Sequence, residues 1–216
     1  MSQLRVHNLT MSVDGYVAGP EQSLQHPLGV GGERLHGWMF ATRAGRAMLG
    51  GEGGTAGVDD AFVVRGDVGV GATVMGRNMF GPVRGPWPDE EWTGWWGPRP
   101  PYGHPVFVLT RHARPSVTME GGTVFHFVTD GPESALARAR AAAGGADVRL
   151  GGGAATIRQY LALGLVDHLH VVVAPVLLGD GERIFEPAAD LAFRYECAPP
   201  VAGDGVTHLV LTRRPR

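Results

Sequence analysis

Val148-Arg149-Leu150-Gly151-Gly152-Gly153-Ala154-Ala155-Thr156-Ile157-Arg158-Gln159-Tyr160-Leu161 is the stretch on which the reading of this chain turns. Val148 to Leu150 reads as a short apolar strand, and an amphipathic helix over Ala154 to Leu163 follows the three glycines at once. Glycine lets a backbone come within hydrogen-bonding distance of a ligand, and a helix N-terminus offers N–H groups and partial positive charge. The combination suits a phosphate or pyrophosphate. A plain strand-to-helix turn is the alternative.

Upstream, Ala72 to Met75 reads as a buried strand ending at Gly76, with further strands at Pro105 to Thr110 and Val124 to Val128. Pro132 to Ala143 reads as a helix with proline in its first turn. Leu4, Val6 and Leu9, leading to Tyr16 and Val17, form a first strand interrupted at Asp14-Gly15. Helices are expected over Arg34 to Thr42, with Leu35, Trp38 and Met39 on one face, and over Val58 to Arg65; Gly50 to Gly57 is a flexible loop between them. Downstream, His168 to Ala174, Leu191 to Cys197 and Val206 to Thr212 read as strands with no helix between them, and Gly179-Asp180-Gly181-Glu182 as a tight turn. Strands alternating with helices, then strands alone, predict an α/β fold. Its mixed, mainly parallel sheet would carry antiparallel C-terminal strands. Segments 19–57 and 81–103 read as loop insertions in a single domain over 1–216. The second holds Trp87, Trp92, Trp95 and Trp96, either as a lid or binding loop or as anchors to the core.

With 216 residues, 44% hydrophobic and 19% charged, the chain has the composition of one sizeable globular domain. A net charge of −2 provides no basic face for nucleic acid. All 19 basic residues are arginine, which excludes Schiff-base chemistry and a P-loop lysine. The one cysteine, Cys197, excludes internal disulfides and cysteine-rich zinc sites, and is expected to be an inert buried thiol. No segment approaches the roughly 20 apolar residues of a membrane span. The first residues lack the apolar run of a signal peptide, so a cytoplasmic location is expected.

Five segments, read in order, resemble one family: Ser12-Val13-Asp14-Gly15-Tyr16-Val17-Ala18, Val74-Met75-Gly76-Arg77-Asn78-Met79-Phe80, Val106-Phe107-Val108-Leu109-Thr110-Arg111, Leu150-Gly151-Gly152-Gly153, and Gly164 to Leu169 with Val176 to Gly181. They are similar to the dihydrofolate-reductase-like superfamily, in its branch related to the reductase domain of the bifunctional riboflavin-biosynthesis deaminase-reductase. The resemblance spans residues 4–186. It implies a three-layer α/β/α layout, NADPH as reductant, a small-molecule substrate and a homodimer. It also implies a cofactor set: Gly76, Arg77 and Asn78 at the Gly-Arg junction, Arg77 meeting the 2′-phosphate; Thr110 and Arg111 on the adenosine side; and Gly151, Gly152, Gly153, Ala154 and Thr156 around the pyrophosphate. Met79 stands where the family has threonine, and His168 where it has an acidic residue. The deaminase half is absent, since no His-x-Glu with Pro-Cys-x-x-Cys occurs.

Asp14 is the best catalytic carboxylate, because it interrupts an apolar strand and aligns with the family's substrate-facing aspartate; a turn at Asp14-Gly15 is the alternative. Trp38 and Tyr16 are the substrate-wall candidates, with core packing as the competing role for Trp38. His168 and His170 share one strand face and could begin a metal site, but no third ligand is evident nearby and no metal is expected. The expected function is NADPH-dependent hydride transfer to a small heterocyclic or carbonyl substrate. The alternative is a nucleotide-binding module of the same fold without catalysis.

Overall fold

The computed structural model describes residues 2–81, 85–89, 91–185 and 191–215. Residues 82–84 and 90 of the tryptophan-rich segment, and residue 186 at the end of the resembling stretch, therefore lie outside the described residues. β1 (Leu4–Ser12) leads through a 3₁₀ turn at Gly32–His36 into α1 (Gly37–Ala41), α2 (Arg43–Met48) and α3 (Val58–Asp67). Next come β2 (Val70–Gly76), α4 (Arg77–Phe80), β3 (Pro105–Leu109), β4 (Val117–Thr118) and β5 (Val124–Val128). α5 (Pro132–Ala142), β6 (Asp147–Leu150) and α6 (Ala154–Ala162) follow. β7 (His168–Ala174), α7 (Leu191–Arg194), β8 (Tyr195–Cys197), β9 (Val201–Ala202) and β10 (Thr207–Arg213) complete the order. No helix among the described residues is long and apolar enough to cross a membrane.

The chain divides into two compact units. One comprises Gly69–Val166 with the chain start up to Arg5; the other comprises Val6–Val68 and the chain from Asp167 onward. In the first, strands run β4-β5-β3-β2-β6, with Leu4 and Arg5 of β1 paired in parallel to Val148 and Arg149 of β6. The other pairs are parallel too, except β4 with β5. Parallel neighbours need crossover connections that cover the sheet, so their strands read as continuous apolar runs. Accordingly Ala72 to Gly76 of β2 and Val106 to Val108 of β3 are buried at every position. α5 lies over β2 and β3 and buries Ala135, Leu136 and Ala139 against them. A core of Met75, Phe80, Val106, Val108 and Phe125 is covered by Trp87, Trp92 and Trp96. Trp92 Nε1 donates to the Phe80 carbonyl at 2.8 Å, and Trp96 stacks on Phe125 at 5.9 Å. These tryptophans anchor their loop to the core.

In the second unit the order is β1-β7-β10-β8, with β9 also on β10. β10 is antiparallel to β7, β8 and β9, which is the expected antiparallel C-terminal set. α3 buries Asp59, Phe62, Val63 and Gly66, spaced at i, i+3, i+4 and i+7 on one helix face. Leu35, Trp38, Val63, Val172, Ala174 and Val206 form the apolar core here.

Three expectations are corrected. The helix expected over Arg34 to Thr42 is broken into two short pieces, the 3₁₀ turn ending at His36 and α1, and α2 starts only at Arg43. Thr42 is extended (φ −73°, ψ 160°) and caps α2, its Oγ1 accepting from Gly45 N–H at 2.9 Å. Leu35 and Trp38 still face the core as the spacing predicts. Second, Leu191 to Arg194 form a helical turn and only Tyr195–Cys197 are strand. β10 pairs its last residue, Arg213, with Tyr195, and past that point the Arg214 N–H donates to the Arg194 carbonyl at 2.8 Å, where the chain has already turned helical. Third, Cys197 is exposed, because it sits on this edge strand.

Candidate functional site

β3, β2 and β6 are neighbours in the first unit, so their C-terminal ends adjoin. Parallel strands present ligands at these ends. The Gly76 N–H donates to the Gly152 carbonyl and the Gly151 N–H to that of Val74, both at 2.8 Å. A Cβ on Gly76 would lie 2.1 Å from Thr156 Oγ1; one on Gly151 would lie 2.9 Å from Met79 Sδ, and one on Gly153 3.7 Å from Asn78 Cβ. Gly76, Asn78, Gly151, Gly152, Gly153, Ala154 and Thr156 thus form one cluster, and Met79 packs onto the glycine run. The Gly152–Gly153 peptide is cis. α6 opens at Gly153 with no side-chain cap, an arrangement that binds anions.

Thr110 is buried, and its hydroxyl accepts from the His112 N–H at 3.2 Å, fixing the turn after β3. Arg111 is exposed. It borders a cavity of about 490 Å³ that is also lined by Trp87, Asp89, His112 and Arg114. Arg77 is placed differently from Arg111. Its guanidinium lies 3.5 Å from the centroid of Trp87, donates to the Gly85 carbonyl, and has Nε and Nη2 buried.

In the second unit Asp14 and Tyr16 meet at one turn. The Asp14 carboxylate accepts from the Leu178 N–H at 3.2 Å and the Gly179 N–H at 2.7 Å, while the Tyr16 hydroxyl donates to the Gly179 carbonyl at 3.4 Å. Arg183 covers the Tyr16 ring at 4.1 Å. The Ser12 hydroxyl, followed by the Gly179 and Leu178 amides, holds the Asp14 carboxyl down to about 2. A carboxylate held that low is a fixed anion at neutral pH, suited to anchoring a turn. Because its folded pKa is depressed, the stability it adds is present above 3.8 and is lost as pH falls towards 2. Asp14→Ala is therefore expected to melt below wild type at pH 7, with the gap closing between pH 3.8 and about 2. A gap unchanged at acid pH in thermal melts would refute the anchoring role. Trp38 sits in the core, its Nε1 donating to Thr10 Oγ1 at 2.9 Å.

A further cluster escaped the sequence reading. His208 Nε2 lies 2.8 Å from Asp59 Oδ1, and His170 Nε2 lies 3.0 Å from His208 Nδ1. His7 Nδ1 approaches His170 Nδ1 at 3.3 Å, and the His7 ring stacks over His168 at 5.5 Å. A third histidine therefore does join His168 and His170. The Asn8 N–H donates to His170 Nδ1 at 3.2 Å, which puts the His170 proton on Nε2 and, in turn, the His208 proton on Nε2, facing Asp59. Phe62 stacks on both His170 (4.6 Å) and His208 (4.1 Å). Among the described residues no group of three or more ligating side chains is arranged to hold a metal. The legible sign was an aspartate on the apolar face of α3.

The model of the RibD C-terminal domain matches residues 6–203. Among solved structures, a protein from Shewanella sp. PV-4 named for riboflavin biosynthesis is 21% identical with a TM-score of 0.58, each chain covered over 100%. Dihydrofolate reductase from Enterococcus faecalis, complexed with NADP(H) and RAB-propyl, is 14% identical with a TM-score of 0.53, covering 99% of this chain and 97% of that one. RibD from Acinetobacter baumannii is 17% identical with a TM-score of 0.54; the match covers 99% of this chain and 58% of that longer one. No curated protein matches. These likenesses establish the dihydrofolate-reductase-like fold, with its mixed, mainly parallel sheet flanked by helices, and the match over 6–203 establishes that the chain belongs to the RibD C-terminal domain family.

Proposed function

We propose that the protein is an NADPH-dependent reductase of a small pterin-like, pyrimidine-like or carbonyl substrate, acting as a homodimer. The observation that carries this reading is the cluster at the ends of β2, β3 and β6. There a glycine run meets an uncapped helix N-terminus, and on the same unit a cavity bordered by Arg111 and Arg114 follows the end of β3. The residues fit the cofactor. Gly151, Gly152 and Gly153 let the backbone approach a pyrophosphate, and the first turn of α6, through Ala154, offers it N–H donors. Arg111 and Arg114 border a cavity that suits the adenosine end. Bound NADPH would supply the hydride. The chain's own task is to bind and orient it. Asp14 and Tyr16 act here as the frame of the Gly179 turn, with Trp38 supporting the core behind β1.

Asp14 is already engaged by two backbone amides, and this favours a second reading: a module that binds the nucleotide without turning it over. Titration of tryptophan fluorescence with NADPH and NADH tests the shared premise. NADPH oxidation with a panel of pterins, pyrimidines and quinones then separates the two. Saturable NADPH binding with oxidation by one panel member is the expected result. Binding with no oxidation selects the module, and absence of binding removes both.

A further inference from the structure

The histidine chain of the second unit has a direction, and that direction decides the chemistry of His7. Its buried end is held at both carboxylate oxygens. Asp59 Oδ1 accepts from His208 Nε2 at 2.8 Å, and Oδ2 accepts from the Asp204 N–H at 3.1 Å. Gly203 makes this approach possible, since a Cβ there would lie 2.1 Å from Asp59 Oδ1 and 2.9 Å from His208 Nε2. With its proton on Nε2, His208 accepts at Nδ1 from His170 Nε2 at 3.0 Å. His170 Nδ1 takes the Asn8 N–H at 3.2 Å and carries no proton. Across the 3.3 Å to His7 Nδ1, only His7 can donate, and the same Nδ1–H reaches Asn8 Oδ1 at 3.4 Å. A neutral imidazole carries one proton, so Nε2 is the acceptor of His7. Packing keeps this order. His170 and His208 are both 0% exposed, Phe62 stacks on both, and Trp38 meets His208 edge-on at 5.4 Å. His7 is half-buried and stacks on the half-buried His168. The chain thus runs from a closed carboxylate to a ring in partial contact with water. The titratable and charged groups around it are His7 on β1, His168 and His170 on β7, His208 on β10, and Asp59 and Arg65 on α3.

We propose that His7 is a proton-exchanging site with Nε2 as its accepting atom, and that His170, His208 and Asp59 are positioning residues that set its tautomer. The partner it suits is a small molecule bearing an O–H or N–H, from which neutral Nε2 takes a hydrogen bond or a proton. When Nε2 takes the proton, the imidazolium keeps its Nδ1–H on His170, and no proton passes further along the chain. Burial, followed by repulsion from His7, His208, His168 and Arg65, holds His170 neutral, so the charge stays at the His7 end. A carboxylate behind a catalytic histidine works in the same way, fixing the ring without itself being protonated. The site stands independently of the nucleotide reading of the first unit.

The test is nitrogen-15 NMR of the full chain labelled at histidine, which reads the protonated ring nitrogen directly. At about pH 8, where neutral imidazole dominates, wild type should show His7 as the Nδ1–H tautomer and both His170 and His208 as Nε2–H. On acidification His7 should gain its second proton before His170 or His208 does. Asp59→Asn then reverses the chain. The Asp204 N–H cannot invert, so it claims the amide carbonyl and leaves the amide N–H facing His208. His208 must accept on Nε2 and donate from Nδ1. Its link to His170 is fully buried, whereas the Asn8 N–H is only part-buried, so the reversal passes through that link and the Asn8 bond is lost. His7 should appear as the Nε2–H tautomer in this variant. His168→Phe keeps a stacked ring and should leave the His7 tautomer as in wild type; a change there would make stacking the cause and overturn the positioning role. A wild-type His7 found as Nε2–H overturns the proposal without any variant. So does an Asp59→Asn protein in which His208 reverses and His7 does not, and so does a His170 that charges before His7.

Discussion

Gly76→Ala is expected to destabilise the protein by about 2 kcal/mol and to weaken any nucleotide bound at the glycine cluster. The backbone there is ordinary extended chain (φ −78°, ψ 155°), so conformation alone does not require glycine. The requirement is steric. An added Cβ would sit 2.1 Å from Thr156 Oγ1, 3.2 Å from Thr156 Cβ and 3.3 Å from the Gly153 nitrogen. Thr156 is buried in the first turn of α6 and its N–H donates to Gly153 O, so relief requires the helix start to move away from β2. Forcing a methyl group into so packed a junction costs on the order of 1–3 kcal/mol. Thr156→Ala removes the closest atom and leaves only contacts above 3 Å. The double variant should therefore recover a large part of the loss, with a coupling of about 1 kcal/mol or more in a double-mutant cycle. Denaturant unfolding of the four proteins measures it. Additive losses would mean that the Gly76–Thr156 contact does not hold the junction.

The second large effect is acid sensitivity in the histidine chain. Burial pushes His170 down to about 2, and His7, His208, His168 and Arg65 add repulsion against its protonated form. Asp59 faces the chain only through His208, as a hydrogen-bond acceptor. The folded state refuses a proton that the unfolded chain takes up below 6.5. Stability therefore rises with pH between about 2 and 6.5 and is flat, for this group, above 6.5. The slope well below 6.5 approaches about 1.4 kcal/mol per pH unit, so acidifying from neutrality by two units below that value removes roughly 2–3 kcal/mol. Asp14 adds almost nothing to the slope between pH 6.5 and 4.5, because its own titration lies below 3.8. His170→Leu should start less stable by roughly 1–3 kcal/mol at neutral pH, since Asn8 N–H and His208 Nδ1 lose their partner. It should also lose most of the slope. Chemical denaturation at pH 7.5, 5.5 and 4.5 would expose the opposite outcome, equal slopes in both proteins, which would remove His170 as the origin.

Much of the site was legible because its signals are local. The run Leu150-Gly151-Gly152-Gly153 followed by an amphipathic helix states a strand, a turn and a helix within one window, and the structure has β6 and α6 there. The Gly76-Arg77 junction and the end of β3 are likewise strand ends marked by a change of residue type. The role of each side chain was less legible. Arg77 and Arg111 are identical residues after similar strands, and only the position of Trp87, ten residues further along, separates a covered guanidinium from an exposed one. Asp14 and Gly179 are far apart in sequence, so no spacing announces that the carboxylate holds that turn.

Taken alone, the sequence determined the strands β2, β3, β5, β6 and β7, the helices α3, α5 and α6, the parallel-then-antiparallel order and the glycine run, because periodicity and chain-breaking residues act over a few positions. Tertiary structure decided what β1, α3, β7 and β10 assemble. Asp59, His170, His208 and His7 become one hydrogen-bonded chain only when three strands and a helix bring them within about 3 Å of one another. It likewise decided that Leu191 to Arg194 leave the ladder, where β10 runs out, and that Cys197 faces water. Such outcomes depend on which partner happens to be alongside. No single stretch of chain contains that information.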